Sequence, residues 1–279
     1  METRSQKLTL DLITYTLLIL GSVIMVGPFL WMISTSFKLP ADQFTRTLIP
    51  PTFTLQNFKD LFAVDIDFLR LFWNSTFISL LVTAGQLITC AMAAFCFAVV
   101  KFRLRGFLFT LLLITLMIPT QVTLIPNFIV FKWLGLIGTS VPLWLPAFWG
   151  GALGTFLLRQ YFLTIPRELA EAARMDGANL IQIFWMIYMP LSKPALAALA
   201  IFSFKGAWND LLAPLVYMPA VPNTTLTVGL AFFQQQLNIS GKFTVLMAGA
   251  LISVLPLVIV FFIAQRQFIE GIALSGIRR

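Results

Sequence analysis

The run LFWNSTFISLLVTAGQLITCAMAAFCFAVV, residues 71–100, carries no charged side chain and stops at KFRLR, residues 101–105, where three of five side chains are basic. Crossing roughly 30 Å of hydrocarbon takes about 20 mostly apolar residues in a helix. A run of this length therefore reads as a membrane span rather than as the buried helix of a soluble domain. Lysine and arginine crowded into so short a loop mark the cytoplasmic side of that span.

Other charge-free runs lie on both sides of it, at residues 12–37, 106–131, 134–158 and 243–265. A sixth candidate starts at Pro194 and is interrupted by Lys205 and Asp210. The parity follows from the basic residues. With six spans, twelve of the 19 lysines and arginines fall on the inner side, six on the outer side, and Lys205 lies within the membrane. The expected architecture is an all-α integral membrane protein with six transmembrane helices and both termini cytoplasmic. It forms one domain over residues 1–279, with spans at about 12–35, 72–100, 106–131, 137–160, 194–217 and 243–265. A signal-peptide core has about 7–15 apolar residues, so the first span reads as a retained anchor. Trp31, Trp73, Trp133 and Trp144 fall near outer span ends, as an aromatic belt requires.

Composition narrows the function. Of 279 residues, 59% are hydrophobic and 11% charged, whereas soluble chains carry roughly 25% charged residues. The mean hydropathy of +0.90 agrees. Histidine is absent, which removes the usual neutral-pH base, the commonest metal ligand and the standard hydrolase triad. Cys90 and Cys96 share one apolar run without metal-ligand spacing and read as small buried thiols. The net charge of +8 is scattered along the chain, which suits topology signals and not a nucleic-acid surface. No Gly-x-x-x-x-Gly-Lys-Ser/Thr loop is present, so the chain has no phosphate cradle of that kind for hydrolysing ATP.

The inner segment at residues 161–193 is longer than a simple connection needs. Pro166 suits the start of a short helix, Glu168 complements its positive end, and Gly177 suits a left-handed stop. A second helical stretch, residues 179–189, is expected to end at Pro190. On the first helix, Ala170, Ala172, Ala173 and Gly177 are small, while Arg167, Glu171, Arg174 and Asp176 are charged. Small residues admit a partner backbone and charges set its register; a merely solvated face is the other reading.

These residues resemble a known family. Glu171-Ala172-Ala173, Asp176-Gly177-Ala178, Ile187 and Met189-Pro190-Leu191-Ser192-Lys193-Pro194 look like the EAA signature of inner-membrane permease subunits of ABC importers. The stretch from Met117 to Pro126 and the triplet Trp208-Asn209-Asp210 resemble the carbohydrate-uptake branch, and the whole is most similar to the second permease of a maltose-type system. Gln265-Arg266 and Gly271 resemble its C-terminal segment, although the glycine-rich ending is altered to Ser275-Gly276-Ile277-Arg278-Arg279. The resemblance implies a subunit of the bacterial inner membrane, surrounded by lipid, that imports sugar but is not itself an enzyme. Its implied partners are a second permease, two ATPase subunits and an extracytoplasmic solute-binding protein. ATP and Mg would sit on the ATPase, and this chain would bind no cofactor or metal. Glu171, Ala172, Ala173, Asp176 and Gly177 would form the coupling helix that docks in the ATPase.

Ionisable groups deep in a membrane usually face a bundle interior or water. Lys205, Asn209 and Asp210 are thus candidates for the translocation path or for a polar contact between helices. Trp208 could stack on a sugar or serve as a packing residue. Pro119 and Pro126 are expected to break the third span, which makes Thr120 and Gln121 path candidates; alternatively the prolines only bend the helix. A glycerol 3-phosphate importer is an alternative, disfavoured by the scarcity of basic groups near the path. An ion-coupled secondary transporter is another, but would need paired broken helices in two related halves, and no second copy of the 171–194 pattern exists.

Overall fold

The computed structural model describes residues 4–63, 67–219, 223–240 and 242–276. Among them the regular structure is entirely helical. The helices are α1 (Arg4–Ser36), α2 (Gln56–Ala63), α3 (Phe68–Ala98), α4 (Arg105–Ile114), α5 (Thr120–Trp133), α6 (Val141–Trp144) and α7 (Ala152–Phe162). They continue as α8 (Arg167–Met175), α9 (Leu180–Ile183), α10 (Met189–Leu191), α11 (Lys193–Trp208), α12 (Leu212–Tyr217), α13 (Leu226–Ser240) and α14 (Phe243–Gly276). Among the described residues, four helical segments are long and apolar enough to cross a membrane: Leu10–Ser36, Phe68–Ala98, Val141–Phe162 and Phe243–Gln265. Two bent pairs, Arg105–Met117 with Thr120–Trp133 (98°) and Leu180–Leu191 with Lys193–Trp208 (80°), bring the number to as many as six if each pair is one span.

The chain divides into two compact units, Met1–Ile66 with Leu230–Val254 and Asp67–Gly229 with Leu255–Arg279. In the first, α1 exposes apolar side chains along most of its described length, as a helix facing lipid or another subunit does. The segment after α1 is a tied knot and not a loose polar loop. Buried Asn57 donates from Nδ2 to the carbonyls of Ser36 (2.8 Å) and Lys38 (2.7 Å), and accepts from Thr244 Oγ1 (2.9 Å). Lys38 is fully buried and its ammonium donates to the Thr45 carbonyl at 2.9 Å. Phe37 stacks on Phe53 with centroids 4.7 Å apart.

The second unit is organised around α3, whose inward face is built from Cys90, Ala91, Ala94, Phe95 and Ala98. Small side chains let α7 and α11 approach closely. A Cβ on Gly154 of α7 would stand 2.8 Å from Cys90 Sγ and 3.0 Å from Leu199 Cδ1 of α11. Cys90 is also a hydrogen-bonding group, accepting from the Gly151 amide at 3.1 Å; Cys96, expected to be buried, is exposed. At the start of α3, Asp67 caps the Arg70 amide, Asn74 donates to the Thr224 carbonyl and Ser75 Oγ accepts from the Leu226 amide. Asn74-Ser75-Thr76 is therefore a structural anchor that happens to match a glycosylation pattern.

Two breaks differ from expectation. Only Pro119 interrupts the third apolar run: it caps α5, while Pro126 lies inside that helix. A proline there removes one backbone bond without ending the helix when the remaining turns hold. In the fifth run, α11 ends at Trp208 and α12 starts at Leu212, so the helix expected over 194–217 is split at Asn209 to Leu211.

Candidate functional site

Helix α8 is closed by a complete left-handed stop. The Ala178 amide donates to the Ala173 carbonyl (2.9 Å) and the Gly177 amide to the Arg174 carbonyl (3.0 Å), with Gly177 at φ +86°. These two bonds satisfy carbonyls that a helix C-terminus leaves open. No heavy atom lies within 4 Å of a Cβ built on Gly177, so backbone conformation, not crowding, selects glycine there. Two residues on, Asn179 opens α9 with a capping box: Asn179 Oδ1 accepts from the Gln182 amide (2.9 Å) and Gln182 Oε1 accepts from the Asn179 amide (2.8 Å). The turn between the helices is thus pinned from both sides.

The base beneath α8 is apolar and aromatic. Ala170 is buried and Ala173 packs against a core of Phe162, Ile165, Ile183, Phe184 and Tyr188. Tyr188 meets Phe95 of α3 and Phe162 of α7 edge-on at 5.1 and 5.3 Å, and Phe184 meets Phe95 at 5.4 Å. Edge-to-face pairs at these separations add to simple burial. The small residues of α8 fall on two faces. Ala170 and Ala173, three apart and so on one helical face, seat α8 on its own chain. Glu171, Ala172 and Asp176 are exposed, together with Leu169 and Met175, the last 88% exposed. Sequence reasoning passed over Leu169 and Met175; apolar residues on an otherwise charged turn were the available signal.

Residues 184–188 form a π-helical turn that ends at Tyr188, with Met189 between it and Pro190. The expected helix end at Pro190 does not occur. The wider turn leads straight into α10, which carries Pro190 without ending there. The bend falls instead at Ser192, whose amide donates to Tyr188 (3.0 Å) while its carbonyl accepts from Leu196 (2.9 Å). Hydrogen bonding is therefore continuous from the α8 base into α11.

The path candidates separate. Lys205 is exposed on α11 and Asn209 just past its end, while Asp210 is half-buried with Oδ1 accepting from the Ala213 amide at 3.3 Å. Among the described residues no ion pair joins Lys205 to Asp210. Trp208 is 3% exposed, stacked on Phe204 (5.6 Å) and edge-on to Phe72 (5.6 Å), so its ring offers no face to a sugar in this conformation. Its carbonyl accepts from Thr227 Oγ1 at 2.7 Å. Thr120 and Gln121 are exposed on the first turn of α5, immediately past the bend at Pro119. Tyr217 links the two regions by donating to the Leu124 carbonyl (3.3 Å) and packing on Phe131. Among the described residues no three histidine, cysteine or acidic side chains gather to hold a metal.

Comparison with known proteins places this geometry. Residues 85–273 match the family described as "binding-protein-dependent transport system inner membrane component". The arabinooligosaccharides transport system permease protein AraQ of Halalkalibacterium halodurans is 36% identical over 260 residues, covering 91% of this chain and 92% of that protein. The sn-glycerol-3-phosphate transport system permease protein UgpE of Brucella abortus is 33% identical over 276 residues, covering 96% and 97%. A crystal structure of a bacterial ABC transporter involved in the import of the acidic polysaccharide alginate is similar with a TM-score of 0.82 and 25% identity, covering 96% of this chain and 99% of that one. This protein belongs to the binding-protein-dependent transport system inner membrane component family and is a permease subunit of the inner membrane.

Proposed function

We propose that this chain forms the translocation path of an ATP-driven sugar importer together with a second permease, and that α8 couples it to an ATPase subunit. The observation that carries this reading is the build of α8: a short charged helix, pinned at Gly177 and seated on an aromatic base, presenting Leu169, Ala172, Met175 and Asp176 outward. Such a rigid projection suits insertion into a partner's cleft. ATP-driven closure of an ATPase pair would push α8, and the bonded bend at Ser192 would carry the displacement into α11. In this reading the bent pairs each serve as one span, the spans number six, and both termini and the α8 loop are cytoplasmic. Glu171, Ala172, Ala173, Asp176 and Gly177 form the coupling segment. Gln121, Lys205, Asn209 and Asp210 border the path, and Trp208 braces it.

A neutral oligosaccharide is favoured as substrate. AraQ is named for arabino-oligosaccharides, and a phosphate would call for clustered cations where α11, past Lys193 at its first position, offers Lys205 alone. UgpE, named for sn-glycerol 3-phosphate, keeps the phosphorylated polyol as the second reading. The ion-coupled carrier is set aside, because the family works with a binding protein.

The test is to tag the chain at its C-terminus, solubilise it gently from its own cells and identify co-purifying chains. Recovery of a second permease and an ATPase, followed by ATP-dependent uptake of labelled arabino-oligosaccharide by the reconstituted complex, is the expected result. Recovery of a folded chain alone would overturn the coupling role, and uptake of glycerol 3-phosphate in preference to sugar would overturn the substrate.

A further inference from the structure

Behind α8 lies a cleft of about 360 Å³ bounded by the 101–105 loop on one side and α8 on the other. Lys101, Arg105, Arg167 and Arg174 line it, against one carboxylate, Glu171. Among the described residues none of the four cations has an acidic partner within ion-pair distance, and Arg105 makes only a long bond to the Val100 carbonyl (3.4 Å). Tyr188 also lines the cleft, 2% exposed, and its hydroxyl has no hydrogen-bond partner among the described residues. Four like charges held around one small volume repel one another unless an anion sits between them. Arginine forks match phosphate oxygens in pairs.

A second, separate feature starts at the same place. Leu104, Phe107, Leu111 and Ile114 are all exposed and recur at spacings of three and four, so they form one apolar stripe along α4. The stripe begins at the residue between two of the loop's basic side chains, Arg103 and Arg105, and runs away from the cleft toward the bend at Pro119. A cationic pocket continuous with an exposed apolar track has the shape of an amphiphile: charged head, hydrocarbon tail.

We propose that this cleft binds the phosphate of an anionic phospholipid of the cytoplasmic leaflet, with an acyl chain lying along the Leu104, Phe107, Leu111 and Ile114 stripe. The assignment rests on the cytoplasmic placement of the α8 loop proposed above. Basic pockets at the cytoplasmic ends of spans are suited to such headgroups. Occupancy would neutralise Arg167 and Arg174 of α8 and hold that helix against the 101–105 loop, so the lipid would set the seat of the coupling helix.

The full-length chain in neutral detergent would be titrated with phosphatidylglycerol and with phosphatidylcholine of matched acyl chains, and bound lipid counted by native mass spectrometry. Phosphatidylglycerol is expected to bind in preference. Removing two charges in an Arg167→Gln, Arg174→Gln variant is expected to weaken it roughly 30-fold. An Arg167→Lys, Arg174→Lys variant keeps the charge and should keep most of the binding, which separates the charge effect from misfolding. Equal binding of the two lipids, or an unchanged Gln variant, overturns the site. Displacement of phosphatidylglycerol by inorganic phosphate at equal concentration would make it a free-anion site, and displacement by a glutamate-rich peptide would make it a protein-docking site; either overturns the lipid. Since the isolated chain is assayed, failure to recover an ATPase leaves this measurement intact, and loss of lipid preference leaves coupling intact.

Discussion

Replacing Gly177 isolates the contribution of one backbone turn. Its φ of +86° lies where an L side chain is strained, and no heavy atom lies within 4 Å of a Cβ built there, so crowding contributes nothing. A non-glycine residue in this region costs about 1–3 kcal/mol, and β-branched valine belongs at the upper end. Taking about 2 kcal/mol, the equilibrium between the closed turn and its alternatives moves roughly 30-fold. The bonds from Gly177 to Arg174 and from Ala178 to Ala173 are the ones lost when it opens. Asparagine tolerates the left-handed region and should cost a fraction of this. The assay is ATP-driven uptake by the reconstituted complex, with membrane insertion and bound ATPase quantified in parallel. Uptake should fall in the order Gly, Asn, Ala, Val at constant insertion. Full transport by Gly177→Val would refute the role of the turn. Equal damage from Asn and Val would show that a side chain meeting the partner matters, and that φ does not.

The packing sets three further outcomes. Gly154→Ala places a Cβ 2.8 Å from Cys90 Sγ and 3.0 Å from Leu199 Cδ1, so it should destabilise by about 1–3 kcal/mol, seen as a lower melting temperature in detergent; an unchanged melt would mean α3, α7 and α11 pack more loosely than these distances require. Asn57→Leu leaves the Ser36 and Lys38 carbonyls and the Thr244 hydroxyl without their partner, at about 1–3 kcal/mol for each buried group that stays unsatisfied. Asn57→Asp keeps an acceptor for Thr244 but loses both donations, so by melting it should also fall below the native chain. Tyr188→Ala removes the ring that joins Phe95 and Phe162 and should cost about 3–5 kcal/mol, with faster amide exchange across Arg167–Met175. Tyr188→Phe keeps both ring contacts and should leave exchange there unchanged.

Much of the architecture is legible in the order of residues. Apolar run length against hydrocarbon thickness identifies spans without any knowledge of contacts, because each helix satisfies its own backbone. The α8 boundaries are equally local: Pro166 at its start and Gly177 at its stop act within a turn or two, and both lie where expected. The EAA residues are contiguous, so the family resemblance also needs no tertiary information.

Features that depend on distant neighbours could not be read this way. Ala170 and Ala173 are indistinguishable in sequence from Ala172, yet only the first two face Phe162, Ile183 and Tyr188, and that choice is made by the angle at which α8 lies on the core. Trp208 reads equally as a sugar platform or a packing residue until Phe72 and Phe204 are seen to cover it. Lys38 looks like an ordinary outer-loop cation, but the carbonyl of Thr45 and the knot around Asn57 bury it. The basic cleft is gathered from two loops some 60 residues apart. Hydrophobic run length and turn chemistry are local quantities that a sequence carries by itself; which face of a helix is covered, and which charges converge, are decided only when segments far apart in the chain are packed together.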